Sequence, residues 1–147
     1  MKITICGSVV FQEEAVSLKE KLEKIGHEIK IWPLKVENER GQLIPVKEYY
    51  RIRQAASNDE KWVWDRKAEA ILEHFDKITW SDAILVANYD KNNIKSYIGG
   101  NTLMEMGLAF FLKKKIYLLN QVPKVPYKEE ILGVKPIILD GDLTKIQ

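Results

Sequence analysis

Glu105 is the side chain with the most chemistry within reach. It follows Gly99-Gly100-Asn101-Thr102, where a helical pattern begins, so its carboxylate falls in a first helical turn. A carboxylate in that position can act as a nucleophile or a general base. The same stretch also reads as a capping box, Thr102-Leu103-Met104-Glu105, in which Glu105 reaches back to the Thr102 amide. The local pattern leaves both readings open. Two glycines ahead of a helix let backbone N–H groups approach a ligand closely, and a helix N-terminus favours an anion. Gly99, Gly100, Asn101 and Thr102 are therefore candidate contacts for a phosphate or a ribose, against a plain flexible loop with an Asn or Thr cap.

Other candidates are weaker. Asn88 and Asp90 follow an apolar run and offer groups for ribose hydroxyls, or for ordinary turn chemistry. Asp82 opens that run and reads as structural. Gly7 and Ser8 end the first apolar run; Ser8 has no evident histidine partner, and no Gly-x-Ser-x-Gly elbow occurs. His74 shares a helical stretch with Phe75 and Ile78, the setting of a partly buried structural histidine. Cys6, the sole cysteine, sits in an apolar run as a small buried hydrophobe and excludes an intrachain disulfide. No His, Cys or carboxylate pair has zinc spacing, so no metal is expected. Neither a Walker loop nor Gly-x-Gly-x-x-Gly is present, which removes the best support for ATP-motor and standard dinucleotide readings.

The elements that position these residues alternate. Lys2 to Cys6 reads as a buried strand, and Ala15, Leu18, Leu22 and Ile25 as a helix stopped by Gly26. His27 to Trp32 alternates as a half-exposed strand near an edge, closed by Pro33. Leu34 to Asn58 is hard to read: Val36 to Gly41 looks like a loop, and Pro45 suits the start of a helix over Val46 to Ala56. A longer helix runs from Asp59 to Thr79, with Trp62, Ala68, Ile71, Leu72, Phe75 and Ile78 mainly on one stripe. Its surplus aromatics, Trp62 and Trp64, suggest a subunit contact. Ala83 to Ala87 is apolar on both faces, as a central parallel strand must be. Thr102 to Lys114 is helical, with Leu103, Met106, Ala109 and Phe110 inward. Ile116 to Leu119 and Ile137 to Leu139 are strands, with a short helix at Lys128 to Leu132 between them.

This order predicts one doubly wound, flavodoxin- or Rossmann-like α/β domain over residues 1–147: a five-stranded parallel sheet with helices on both faces. Ligands of such sheets bind beyond the carboxyl ends of the strands, where strand order reverses. That rule selects Gly7-Ser8, Asn88 to Thr102, and Asn120-Gln121. With 23 basic and 21 acidic side chains the net charge is +2, too balanced to argue for a nucleic-acid polymer or an anionic membrane. No apolar run approaches a membrane span, and no signal-peptide layout opens the chain, so a cytoplasmic location is expected.

Four segments together carry a resemblance: Cys6-Gly7-Ser8; Ser81-Asp82-Ala83-Ile84-Leu85-Val86-Ala87; Met104-Glu105-Met106-Gly107-Leu108-Ala109; and Lys114-Lys115-Ile116-Tyr117-Leu118-Leu119. This set resembles the nucleoside 2-deoxyribosyltransferase superfamily, which includes nucleoside transferases and nucleotide N-glycosidases. The resemblance implies that Glu105 attacks the anomeric carbon of the sugar and displaces the base, after which water or another base takes the intermediate. It implies that Gly7-Ser8 and Gly99-Gly100 hold the sugar or its 5′-phosphate. His74 falls where members carry an aspartate facing the leaving base, and a histidine can protonate a base near neutral pH. The basic residue that often follows the Gly-Ser turn is replaced by Val9-Val10. The implied partner is a nucleoside or nucleotide, without cofactor or metal, in a homodimer or higher oligomer whose neighbouring subunit helps complete each site. The alternatives are a nucleotide-sensing module of the same fold that binds without cleaving and, less favoured, a flavodoxin-like electron carrier.

Overall fold

Three short apolar runs build the centre of the sheet, and their alternation divides the core in two. The computed structural model describes residues 1–147. Strands β1 (Lys2–Cys6), β5 (Ala83–Val86) and β6 (Lys115–Leu118) lie side by side and parallel, with β2 (Glu28–Lys30) and β7 (Ile137–Ile138) at the edges. The order is β2-β1-β5-β6-β7. Ile3, Ile5, Ala83, Leu85 and Tyr117 face one way and pack on α1 (Gln12–Lys24) through Ala15, Leu18 and Leu22. Cys6, Ile84, Val86, Ile116 and Leu118 face the other way. They pack on α3 (Lys61–Trp80), α4 (Gly100–Phe111) and α5 (Lys128–Gly133) through Ile78, Met106, Ala109 and Ile131. Helices cover both faces, as the alternating pattern requires.

Leu34 to Asn58 departs from expectation. The segment read as a loop holds a small antiparallel hairpin, β3 (Lys35–Glu37) and β4 (Leu43–Pro45). Its turn is built by Asn38, whose Oδ1 accepts from the amides of Arg40 (2.9 Å) and Gln42 (3.0 Å). Gly41 supplies the positive φ of +75° that closes it. Two three-residue strands with little apolar periodicity leave almost no trace in a sequence. Pro45 ends β4, and α2 (Val46–Ala55) starts directly after it.

The expected inward faces of two helices are also corrected. Phe110 is exposed on α4, as are Leu72 and Ala68 on α3. The buried stripe of α3 runs instead through Val63, His74 and Ile78. Trp62 packs against Tyr49, and the Trp64 indole donates to the Ser57 carbonyl, so both indoles already have partners within this chain. Asp82 is structural, as its place at the opening of the strand suggested. It joins the amino ends of two strands, since Lys2 N donates to its carboxylate and Asp82 N donates to the Lys2 carbonyl. Lys114 closes the far end of α3 by donating to the carbonyls of Thr79 and Ser81, as a cation at a helix C-terminus should. No helix is long and apolar enough to cross a membrane.

Candidate functional site

Strand order reverses between β1 and β5, and a cavity of about 330 Å³ opens beyond their carboxyl ends. Its floor comes from the turn after β1 and the start of α4, its walls from α2 and α3, and its rim from the loop after β5. Of the sequence candidates, Gly7, Ser8, His74, Gly99, Gly100, Asn101, Thr102 and Glu105 all line it. Asn88, Asp90 and Asn120 stand outside it. Asn88 is fully buried: its Oδ1 accepts from Asn120 N and its Nδ2 donates to the Gln121 carbonyl, while Asn120 Nδ2 donates back to the Asn88 carbonyl. The two asparagines lock the loops after β5 and β6 together. Asp90 accepts from Ser96 N, which is turn chemistry. The side-chain polar atoms of Asn88 are taken up in holding the loops, and none of the three residues lines the cavity.

Gly7 is required by space. A Cβ there would lie 3.1 Å from the Ala87 carbonyl oxygen. This close approach of β1 to β5 turns the chain so that Ser8 faces the cavity. Gly99 is also tight, against the Tyr97 ring, whereas Gly100 has open space around it. Helix α4 begins at Gly100, and the first intrahelical bond runs from Leu103 N to the Gly99 carbonyl. Thr102 is therefore inside the helix and caps nothing, so the capping-box reading of Thr102 and Glu105 is not what forms.

Glu105 instead points down into the protein and is only 3% exposed. Its Oε1 accepts from Asn101 Nδ2 at 2.6 Å, one helical turn back. Its Oε2 has no hydrogen-bond partner and lies 3.6 Å from His74 Nε2. Cys6 Sγ is 3.6 Å from the same nitrogen. Burial pushes the Glu105 carboxyl up to about 7, against the opposing pull of Cys6, the Lys67 charge and the Asn101 bond. Burial, reinforced by the Lys77 charge, pushes His74 down to about 4. The imidazole is therefore neutral at pH 7, a form that is a much weaker acid toward a leaving base than the imidazolium. Burial also pushes the Cys6 thiol up, so it stays protonated.

The sequence reading missed the basic wall. Arg53, Lys67, Lys77 and Lys91 line the cavity against only two carboxylates, Glu73 and Glu105. Lys91 Nζ donates to Ser8 Oγ (2.9 Å) and to Tyr50 Oη (3.0 Å), and lies over the Tyr50 and Tyr97 rings. A cation thus stands beside the Gly-Ser turn after all, delivered from the β5 loop and not from the residue after Ser8. Burial and the Arg53 charge lower Lys67 to about 8, opposed by Glu105. One signal was available: Lys67, Ile71, His74 and Lys77 recur at helical spacing and place polar groups on one face of α3. Arrayed in this way, a buried carboxylate oxygen and an excess of cations suit an anionic ligand with an electrophilic centre set over Glu105.

No protein-family model matches the chain, and no curated protein sequence matches it. Among solved structures, the 2-deoxyribosyltransferase of the psychrotolerant bacterium Bacillus psychrosaccharolyticus superposes with a TM-score of 0.50 at 14% identity, over 80% of this chain and 71% of that one. The CMP N-glycosidase BcmB of Clostridium botulinum gives 0.49 at 16% identity, over 95% and 90%. The first likeness is one of fold: this chain has the α/β architecture of a 2-deoxyribosyltransferase.

Proposed function

We propose that this chain cleaves or transfers the N-glycosidic bond of a nucleoside or nucleoside 5′-monophosphate, with Glu105 as nucleophile. The observation that carries the reading is the unpartnered Oε2 of a buried glutamate, on the floor of a cavity of ligand size at the switch point of the sheet. In the first step Oε2 attacks the anomeric carbon, the C–N bond breaks, and its electron pair leaves with the base. Lys67, the cavity cation nearest neutrality, gives the departing base a proton. In the second step water or another base displaces the carboxylate from the sugar, as in a retaining glycosidase. Lys91, Ser8 and the free amides that open α4 form an anion-binding end suited to a 5′-phosphate.

A binding-only module is the second reading, favoured by the neutral His74 at the place expected for the acid. Incubation with a panel of nucleosides and their 5′-monophosphates, followed by chromatography for free base, separates the two. Base released by the wild type and not by Glu105→Gln is the outcome expected here. Thermal stabilisation by a nucleotide with no base released overnight would leave the binding module.

A further inference from the structure

We propose that Cys6, His74 and Glu105 form a binding site for a zinc-class divalent transition metal. The argument starts from distances. Cys6 Sγ to His74 Nε2 is 3.6 Å, and His74 Nε2 to Glu105 Oε2 is 3.6 Å. The three donor atoms all lie within 4.8 Å of one another. A tetrahedral zinc with bonds of about 2.3 Å to sulfur and about 2.0 Å to nitrogen and oxygen spaces its ligand atoms about 3.3–3.6 Å apart. Two edges of the donor triangle are therefore already close to those of a metal face, and the third, from Cys6 to Glu105, is within 4.8 Å.

Donor chemistry points the same way. Thiolate, imidazole and carboxylate together select zinc or cobalt over the hard cations magnesium and calcium, which take oxygen. A second, independent observation is the carboxylate itself. Glu105 is 3% exposed, its Oε1 is fixed by Asn101, and its Oε2 is left without a donor and aimed into the triangle. An unpaired buried acceptor is costly, and a cation satisfies it. Binding replaces the thiol proton of Cys6, which goes to solvent. His74 and Glu105 also line the cavity, so the fourth coordination position faces it, the layout of a three-ligand site with an open place. The ligands come from β1, α3 and α4, separated by 68 and 31 residues, which is why no zinc spacing shows in the sequence.

This inference rests on geometry and donor type and not on the glycosidic reading, although both use Glu105 Oε2. A metal there would occupy the atom proposed to attack the sugar, so metal binding and carboxylate catalysis exclude one another.

Cobalt titration of the purified, chelator-treated chain tests it without any substrate. One equivalent of Co²⁺ should bring up a thiolate-to-cobalt charge-transfer band in the near ultraviolet and intense tetrahedral d–d bands, which zinc then bleaches. Cys6 is the only cysteine, so a charge-transfer band has one source. The other histidine, His27, lies 3.0 Å from the Met1 amine and offers no sulfur. Cys6→Ser should abolish the charge-transfer band. His74→Ala and Glu105→Gln should each weaken cobalt binding at least as much as loss of an outer-shell partner does, about 10–100-fold. No band at excess Co²⁺, or the same band in Cys6→Ser, overturns the site. Unchanged affinity in both other variants overturns the ligand set. Should a variant fail to fold by circular dichroism, zinc-edge X-ray absorption on the wild type decides: one sulfur with nitrogen and oxygen neighbours supports the site, and a shell without sulfur overturns it.

Discussion

Asn101 Nδ2 donates to Glu105 Oε1 at 2.6 Å across one turn of α4, and this bond divides the carboxylate into a fixed oxygen and a free one. The fixed oxygen sets the direction of the free one toward His74 and the cavity. Removing the fixing group tests how much the site depends on it. The amide favours the ionised carboxylate, so Asn101→Ala should raise the Glu105 pKa further above about 7. If Glu105 acts ionised, the acid limb of the kcat/KM profile of Asn101→Ala should move to higher pH. An unmoved limb would show that another group controls it.

Glu105 and His74 should oppose each other in the pH dependence of stability. Glu105 titrates near 4.5 when unfolded and near 7 when folded, so the folded chain binds more protons between those values and stability falls as pH rises through them. His74 titrates near 6.5 unfolded and near 4 folded, so the unfolded chain binds more protons there and stability rises with pH. The two slopes offset one another in the metal-free wild type. Glu105→Gln should therefore gain stability over the wild type as pH rises from about 4.5 to 7, and His74→Gln should lose it from about 4 to 6.5. Differences in melting temperature between each variant and the wild type, measured with chelator present, read these slopes directly. Parallel curves for all three proteins would show that neither group is perturbed as described.

Lys91 stands beside Ser8 in the lining of the cavity and makes no bond to Glu105. Its loss should affect an anionic substrate group and little else. A charge-assisted hydrogen bond contributes about 1.5–3 kcal/mol. Lys91→Met should thus raise KM for a nucleoside 5′-monophosphate by about 10- to 100-fold, leave the free nucleoside nearly unchanged, and flatten the salt dependence. Equal losses for both substrates would place the phosphate elsewhere.

Gly7 carries a structural prediction. The Cβ of Gly7→Ala would meet the Ala87 carbonyl oxygen at 3.1 Å, and both residues directly follow the two central strands β1 and β5. Neither yields easily, so the substitution should cost about 1–3 kcal/mol by overpacking. Gly100→Ala, with open space around its Cβ, is the matched control and should cost little. Chemical denaturation of the pair checks the contrast.

How far the sequence revealed all this follows from the reach of each signal. β1, β5 and β6 are continuous apolar runs, and α1 and α3 repeat at helical period, so the doubly wound sheet and its switch point were legible. The turn at Gly7-Ser8 could be placed beside the switch point because it follows β1 directly, and Glu105 because it lies early in the helix that follows the β5 loop. The hairpin β3–β4 was not found, because strands of three residues each are too short to establish a period. The pairing of Asn88 with Asn120 was not legible, because polar residues after a strand look alike whether they face a ligand or tie two loops. The pairing of Cys6, His74 and Glu105 was invisible, since only the folded sheet brings residues so distant in sequence together.

Lys67 supplies the sharpest test of the proposed chemistry. It lines the cavity from α3, takes part in no ion pair, and is lowered to about 8 by burial and the Arg53 charge. The mechanism needs Glu105 ionised, so the rate should rise through about pH 7, and it needs Lys67 protonated, so the rate should fall through about pH 8. The kcat/KM profile should therefore be a narrow bell with its top between those values. In Lys67→Met the alkaline limb should disappear, and kcat should drop by about 10²–10⁴, the span of general acid catalysis. Replacing the base with a better leaving group that departs without a proton should restore most of that loss in Lys67→Met and none of the loss in Glu105→Gln. If the alkaline limb survives the substitution, or if the better leaving group fails to restore the rate, the proton reaches the base from another group and Lys67 only shapes the field around the carboxylate.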